Sequence, residues 1–211
     1  MRLLLSFLLL PLLLGAQVTN PGLTAVAPEL IAGLETHPAL VYARYGQREM
    51  ELDLYRPKNI ATPLPAIVCI HGGGWFKGER RNMTLLAQAL AAKGYVTATI
   101  SYRLSGEAKF PAAIEDCKAA IRFLRANADR LGIRSDAIGV TGLSAGGHLA
   151  ALLSTSSGVK ELEGSGGHAQ QSSRVQACMA MGAQSDLQSE RIRVLSRQPQ
   201  DPFYRPFLGG N

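Results

Sequence analysis

The chain has 211 residues, of which 46% are hydrophobic and 18% are charged, and its formal net charge is +6. These values are typical of one globular domain with a hydrophobic core, and they exclude disordered and fibrous classes of protein. The basic residues are scattered and form no stripe interleaved with aromatic residues, so we expect no nucleic-acid partner.

The first predicted element is a secretory signal peptide over residues 1–16. One arginine precedes an apolar run from Leu3 to Leu14, and two small residues follow that run. A positive start, an apolar centre and a small-residue end are the features of a cleaved signal, and the run is short for a membrane span. We therefore expect a secreted or periplasmic protein with no stable membrane span. An uncleaved anchor is the alternative.

A linker and a hairpin are predicted next. Residues 17–40 contain three prolines and two glycines, which favours a linker with one short helical turn. Residues 41–56 predict an antiparallel hairpin, because hydrophobic side chains alternate at Met50, Leu52 and Leu54 after a glycine turn. The folded domain is therefore predicted to span residues 41–211.

Short apolar runs then alternate with amphipathic stretches. The runs predicted to be buried strands are 65–70, 95–102, 137–142 and 175–183. The stretches predicted to be helices are 82–94, 111–131 and 144–154. Strands alternating with helices of this length predict an α/β fold with a mostly parallel sheet.

Ser144 lies in the sequence Gly-Leu-Ser-Ala-Gly, between a predicted buried strand and a predicted helix. A strand–turn–helix junction of this kind raises a serine hydroxyl above the edge of the sheet. Glycines are expected at positions 142 and 146, because a Cβ there would collide with the neighbouring strand or helix. The segment therefore predicts a nucleophilic serine.

A glycine-rich turn, His-Gly-Gly-Gly-Trp at residues 71–75, follows the predicted strand 65–70. Backbone N–H groups in such a turn can approach the oxyanion that forms when a serine attacks an acyl group. Gly73 and Gly74, together with Ala145 beside the serine, are therefore the predicted oxyanion hole. An ordinary tight turn is the alternative interpretation of the three glycines.

Three separated segments carry a resemblance to a known family; they are HGGGWFKGER, YRLSGEAKFPAAIEDCKAAIRFL and GLSAGGHLAALL. Together they resemble α/β-hydrolase esterases of the hormone-sensitive-lipase-like branch, and more closely the bifunctional feruloyl and acetylxylan esterases (BD-FAE-like). The resemblance covers roughly residues 40 to 211. It implies an α/β-hydrolase fold that begins with an antiparallel hairpin. The last strands of this fold are expected to be missing. It also implies Ser144 as nucleophile, with Gly73, Gly74 and Ala145 as oxyanion hole.

The resemblance further implies a serine carboxylic-ester hydrolase that acts on acetyl, feruloyl or other short acyl esters, either small molecules or groups linked to polysaccharide. A lipase-like esterase and an arylformamidase are alternatives with the same mechanism. His71 resembles a residue that shapes the loop. Tyr102, Arg103, Pro111 and Asp116 match a segment that supports the site without catalysing the reaction.

The base that a serine nucleophile needs is difficult to find. In this fold the chain order is Ser, then Asp or Glu, then His. His148 follows too closely on the same predicted helix and is expected to point into the protein body. His168 lies in a Gly/Ser-rich loop with no carboxylate before it at a suitable spacing. Asp186 resembles a structural aspartate after a strand, and Asp201 has no role that its position indicates.

We therefore expect the catalytic acid and base beyond Asn211, in a chain that is truncated at its C-terminus and inactive or weakly active by itself. The alternative from another class is a non-catalytic hydrolase-like scaffold or binding protein that has lost its Asp and His.

No metal or other cofactor is expected. The four histidines are far apart, and none forms a cluster at ligand spacing. The chain has an odd number of cysteines, and they are widely spaced at Cys69, Cys117 and Cys178. This pattern favours three small buried side chains over disulfides.

Overall fold

The computed structural model describes residues 25–209. The strands are β1 Leu34–Tyr45, β2 Arg48–Pro57, β3 Leu64–Ile70, β4 Val96–Ile100, β5 Ile133–Leu143 and β6 Ala177–Met181. The α-helices are α1 Pro28–Ala32, α2 Thr84–Ala91, α3 Ala112–Ala126, α4 Ala128–Leu131, α5 Ala145–Thr155, α6 Glu190–Ser196 and α7 Tyr204–Leu208. Two 3₁₀ turns lie at Arg80–Met83 and Lys160–Leu162. The predicted signal peptide, residues 1–16, lies outside the described residues.

The six strands form one sheet in the order β1-β2-β4-β3-β5-β6. β2 pairs antiparallel with both β1 and β4, whereas β4, β3, β5 and β6 run parallel to one another. Alternate side chains of β3 enter two separate hydrophobic clusters, one shared with α3 and α5 and the other with α2. Because helices cover both faces, β3 is apolar throughout and every residue of β4 is buried. This confirms the predicted α/β fold with its N-terminal hairpin.

The boundary predicted at residue 40 is too late. β1 begins at Leu34, which pairs with Pro57 of β2, so residues 34–40 belong to the sheet and not to a linker. Pro38 is tolerated because β1 is an edge strand and its register shifts between His37 and Leu40. The predicted helical turn in this region is α1.

The helix predicted over residues 111–131 is interrupted. α3 ends at Ala126, and the Asn127 side-chain amide donates to the Phe123 carbonyl oxygen at 2.9 Å. α4 then follows and ends at Gly132, which has a φ of 70°. No helix among residues 25–209 has the length and apolarity that a bilayer crossing requires.

β6 differs from its prediction as a buried strand. It pairs with β5 along one side only, and residues 177–180 are exposed. Cys178 is therefore exposed, which corrects the expectation that all three cysteines are buried. Cys69 and Cys117 are buried as predicted, and burial raises the pKa of the Cys69 thiol to about 12. All three thiols are free.

Candidate active site

Ser144 occupies the sharp turn between β5 and α5. Its backbone has φ 56° and ψ −117°, a conformation that L-residues with a side chain rarely adopt. Its N–H donates to the Met181 carbonyl oxygen at 2.8 Å, and its own carbonyl oxygen accepts from the His148 N–H at 2.9 Å. Backbone strain of this kind persists only where surrounding contacts impose it, and it is concentrated at functional sites.

The two glycines that flank the serine make the turn possible. A Cβ on Gly142 would lie 2.2 Å from the Gly146 carbonyl oxygen, and a Cβ on Gly146 would lie 2.2 Å from the Ile70 carbonyl oxygen. Both obstacles are backbone atoms, which cannot rotate away. The Gly-x-Ser-x-Gly spacing is therefore required by the packing of α5 against β5 and β3.

The glycine-rich turn after β3 approaches this serine. Gly73 accepts from the N–H groups of Phe76 and Lys77 at 3.3 and 3.2 Å, which closes the turn. Trp75 has a φ of 63°, which residues with a side chain rarely adopt, whereas Gly74 has a φ of 60°, which glycine adopts without strain. Because β3 and β5 are parallel neighbours, their carboxyl ends bring the two turns together.

Gly74, Ala145 and Ser144 line one cavity of about 160 Å³; its other lining residues are Trp75, Gln184, Phe203 and Tyr204. Within residues 25–209 no hydrogen bond uses the N–H of Gly73, Gly74 or Ala145. The Ala145 N–H is one of the free donors in the first turn of α5. The cavity thus joins a serine hydroxyl to unpaired backbone donors. Gly73 lies outside the lining.

His71 supports the glycine-rich turn from below. Its Nδ1–H donates to the Gly72 carbonyl oxygen at 2.7 Å, and its ring stacks on Tyr102 with centroids 4.3 Å apart. The Tyr102 hydroxyl donates to the His71 carbonyl oxygen at 3.1 Å. Burial lowers the pKa of His71, which favours the neutral imidazole. These contacts give His71 a role in shaping the loop.

A buried ion pair holds the segment that carries Tyr102. The Arg103 guanidinium contacts the fully buried Asp116 of α3 at 2.8 Å, and the Arg103 N–H donates to the same carboxylate at 2.7 Å. The guanidinium also lies 3.7 Å from the ring centroid of Tyr45. Burial raises the pKa of Asp116, and the hydrogen bonds from Arg103 oppose that effect. The pair therefore positions the loop after β4 without reaching the cavity.

None of the four histidines of the chain, all within the described residues, lines the cavity beside Ser144. His148 packs edge-on against Trp75 with ring centroids 5.4 Å apart, and burial lowers its pKa to about 4. His168 lies against Phe123 of α3, with ring centroids 5.9 Å apart.

Asp186 and Asp201 make only local contacts. Asp186 accepts the N–H of Gln188 at 2.9 Å, and Asp201 accepts the N–H of Arg205 at 2.6 Å at the start of α7. Among residues 25–209 no group of histidine, cysteine or carboxylate side chains is placed to hold a metal ion.

One wall of the cavity had no sequence prediction. Phe207 of α7 is buried and stacks on Trp75, with ring centroids 4.4 Å apart. This contact brings Phe203 and Tyr204 over the glycine-rich turn, where a Cβ on Gly74 would lie 2.3 Å from the Phe203 ring. The spacing of these aromatic residues along one helical turn was the only available signal. Gln184, in the loop after β6, is another lining residue without a prediction.

Comparison with known proteins identifies relatives of this chain. Residues 52–211 match the family model BD-FAE. The chain is 38% identical over 129 residues to esterase LipC of Mycobacterium tuberculosis, an alignment that covers 58% of this chain and 32% of LipC. The chain spans only 32 to 44% of the length of the first three curated relatives that it matches.

Solved structures show the same fold. A bifunctional GH43-CE protein of Bacteroides eggerthii superposes with a TM-score of 0.66 at 36% identity, covering 70% of this chain and 21% of that chain. Esterase 2 of Thermogutta terrifontis, phosphorylated by paraoxon, superposes with a TM-score of 0.65 at 30% identity, covering 77% and 62%. These similarities confirm the α/β-hydrolase fold, and these relatives include esterases.

Proposed function

Because the chain belongs to the BD-FAE family, we propose that it is a serine carboxylic-ester hydrolase with Ser144 as nucleophile. One observation carries the proposal. Ser144 is held at a positive φ in the strand-to-helix turn and shares one cavity with the N–H groups of Gly74 and Ala145. Esterases among the relatives support the same reaction.

In the proposed reaction, Ser144 Oγ attacks the acyl carbon and its proton passes to a general base. The carbonyl oxygen becomes an oxyanion and accepts hydrogen bonds from the N–H groups of Gly74 and Ala145; the third predicted donor, Gly73, lies outside the cavity lining. Collapse of this intermediate breaks the bond to the leaving oxygen, which takes the proton from the base and departs as the alcohol; the acyl-serine that remains is hydrolysed by water to the acid and free Ser144. Each oxyanion donor of this type lowers the barrier by about 3–4 kcal/mol.

The general base is the missing component of the described site, since no histidine of residues 25–209 lines the cavity. The expectation that the acid and base lie beyond Asn211 stays a prediction. An oxyanion hole and substrate binding without the base retain a rate of about 10³–10⁴ over water. We therefore expect weak hydrolysis by the 211-residue chain.

Short acyl esters are the proposed substrates, either as small molecules or as acetyl or feruloyl groups on polysaccharide. A cavity of about 160 Å³ accommodates a short acyl group, and a structural relative carries the description GH43-CE. Export to the periplasm or the medium remains part of this proposal, on the strength of residues 1–16.

Covalent labelling tests the nucleophile without requiring turnover. Because the described site holds no general base, an alkyl fluorophosphonate should modify the wild-type chain slowly, and faster at Ser144 than at any other serine, as located by a time course of peptide mass spectrometry. Labelling should disappear in Ser144→Ala and persist in Ser157→Ala, which removes an exposed serine just after α5. Labelling of Ser144 that is no faster than labelling of the exposed Ser157, or equal labelling of Ser144→Ala, would refute the proposal.

A hydrolase-like binding protein is the second candidate. It is favoured by one observation, namely that the histidines of the described residues pack away from Ser144. Saturable ester binding combined with no labelling of Ser144 would support this candidate against the esterase.

A further inference from the structure

A second cavity lies between α3 and the loop that joins α5 to β6, and we call it the loop cavity. Its volume is about 340 Å³, its charged lining residues are Arg122, Lys160 and Glu163, and three serines also line it. Ser144 precedes α5, whereas Ser157 of this lining follows the end of the helix. The 11 residues of α5 therefore separate the two cavities by about 16 Å along the helix axis.

The charges around the loop cavity do not balance. Lys118 is fully enclosed; its ammonium contacts the Glu163 carboxylate at 2.8 Å and donates to the Ser156 carbonyl oxygen at 2.6 Å. Arg122 contacts the other oxygen of the same carboxylate, also at 2.8 Å. Lys160 is a third cation, and Glu163 is the only carboxylate among the described residues of the lining. Three cations beside one carboxylate leave an excess of positive charge, which favours an anionic ligand.

One nitrogen of the Arg122 guanidinium is free beside the loop cavity. Its Nε donates to the Gly167 carbonyl oxygen at 3.0 Å, and its Nη1 donates to Glu163 at 2.8 Å, so the plane of the guanidinium is fixed. No hydrogen bond within residues 25–209 uses Nη2, and this nitrogen is not one of the fully enclosed polar atoms. Because Arg122 lines the cavity, Nη2 retains surface that a ligand there can contact. A guanidinium stays charged, and its hydrogen bonds to oxyanions are the strong, charge-assisted kind.

We infer that the loop cavity binds the oxyanion group of a small polar ligand, which is a phosphate, a sulfate or a carboxylate. Arg122 Nη2 donates to one oxygen of the anion, Lys160 contributes a second positive charge, and the serine hydroxyls donate to further oxygens. The volume exceeds that of an inorganic anion, so the ligand has a further polar part. This inference does not depend on the proposed ester hydrolysis, and either can fail without the other.

Isothermal titration calorimetry of the 211-residue chain tests the inference, with inorganic phosphate, sulfate and acetate as separate probes. Ionic strength and pH are held constant, because exposed charges respond to salt. At least one probe should bind saturably at one site, and two hydrogen bonds between charged groups correspond to a Kd of about 1 mM. Comparing phosphate and sulfate with acetate distinguishes a tetrahedral oxyanion from a carboxylate.

Two variants of the lining and one control locate the site. Arg122→Lys keeps the positive charge beside Glu163 but removes Nη2, and it should raise the Kd about tenfold or more. Lys160→Gln removes an exposed charge of the lining and should raise the Kd about two- to fivefold; it serves if Arg122→Lys does not fold. Lys93→Gln removes the same charge at an exposed position outside the cavity and should leave the Kd unchanged.

Two results would overturn the inference. One is the absence of saturable binding of every probe by the wild-type chain. The other is binding that the variants of the lining weaken no more than Lys93→Gln does. Covalent labelling of Ser144 is a separate measurement at the other end of α5, so failure of the proposed function is distinguishable from both results.

Discussion

Replacing Gly146 by alanine has two opposing effects on stability: it improves helix propensity and it worsens packing. Gly146 lies in α5, where alanine is favoured over glycine by about 1 kcal/mol. A Cβ at this position would lie 2.2 Å from the carbonyl oxygen of Ile70 and 2.5 Å from that of His71. Ordinary contacts begin at 3.4 Å, so α5 would have to move away from β3 by about 1 Å.

The expected net effect is destabilisation. Overpacking costs about 1–3 kcal/mol, and the upper end applies because both obstructing atoms belong to the backbone of the sheet. Subtracting the gain in helix propensity leaves a loss of about 2 kcal/mol in the free energy of unfolding. For a domain of this size, the melting temperature should fall by about 4–8 °C.

Urea unfolding followed by Trp75 emission provides the measurement, because this tryptophan is buried. Gly106→Ala is the matched control. Gly106 is exposed, and a Cβ on it meets no atom within 4 Å, so its midpoint should change little. If Gly146→Ala is as stable as the wild type, the contact with β3 is not rigid and the steric explanation of the glycine spacing is wrong.

Three further predictions concern charge, pH and thiol exposure. Arg103→Met leaves Asp116 buried without its main partner and should lower the free energy of unfolding by about 3–5 kcal/mol; a shift of the urea midpoint equivalent to less than about 1 kcal/mol would contradict this. Burial lowers the pKa of His148 to about 4 from its ordinary 6.5, so the unfolded chain binds a proton that the folded state resists. The stability that depends on neutral His148 is complete above about pH 6.5 and falls as the pH drops towards 4. His148→Leu should flatten this part of the plot of urea midpoint against pH, and an unchanged slope would contradict the prediction. Ellman's reagent should modify one thiol in the native protein, Cys178, because the other two cysteines are buried; fast release of more than one equivalent would show that the core opens.

Local patterns predicted the parts of this fold that depend on local causes. The β3 run was recognised because burial on both faces requires continuous apolar residues. The Ser144 turn was recognised because its two glycines are imposed by backbone atoms within one β–α unit and its neighbouring strand. The start of β1 was missed because residues 34–40 become a strand only by pairing with β2. Their proline and polar residues suggested a linker instead.

The part of the cavity formed by Phe203 and Tyr204 could not be predicted, because it too depends on a contact between distant segments. Its position depends on Phe207 stacking against Trp75, a contact between segments that are distant in the sequence. The exposure of β6 has the same origin, since apolar residues predict a strand but do not specify what covers it. Gln184 could not be predicted because an isolated glutamine in a loop has no sequence signature, and only the structure places it at the cavity.

Three contacts from other parts of the chain hold the strained backbone turn at Trp75, next to Gly74 of the cavity. The Trp75 carbonyl oxygen accepts the Ser105 N–H at 2.8 Å, which ties the turn to the loop after β4. The Trp75 ring is covered by Phe207 from α7 and by His148 from α5. A residue with a φ of 63° keeps that conformation only while these contacts hold. The position of Gly74 in the cavity beside Ser144 therefore depends on packing by residues that do not line that cavity.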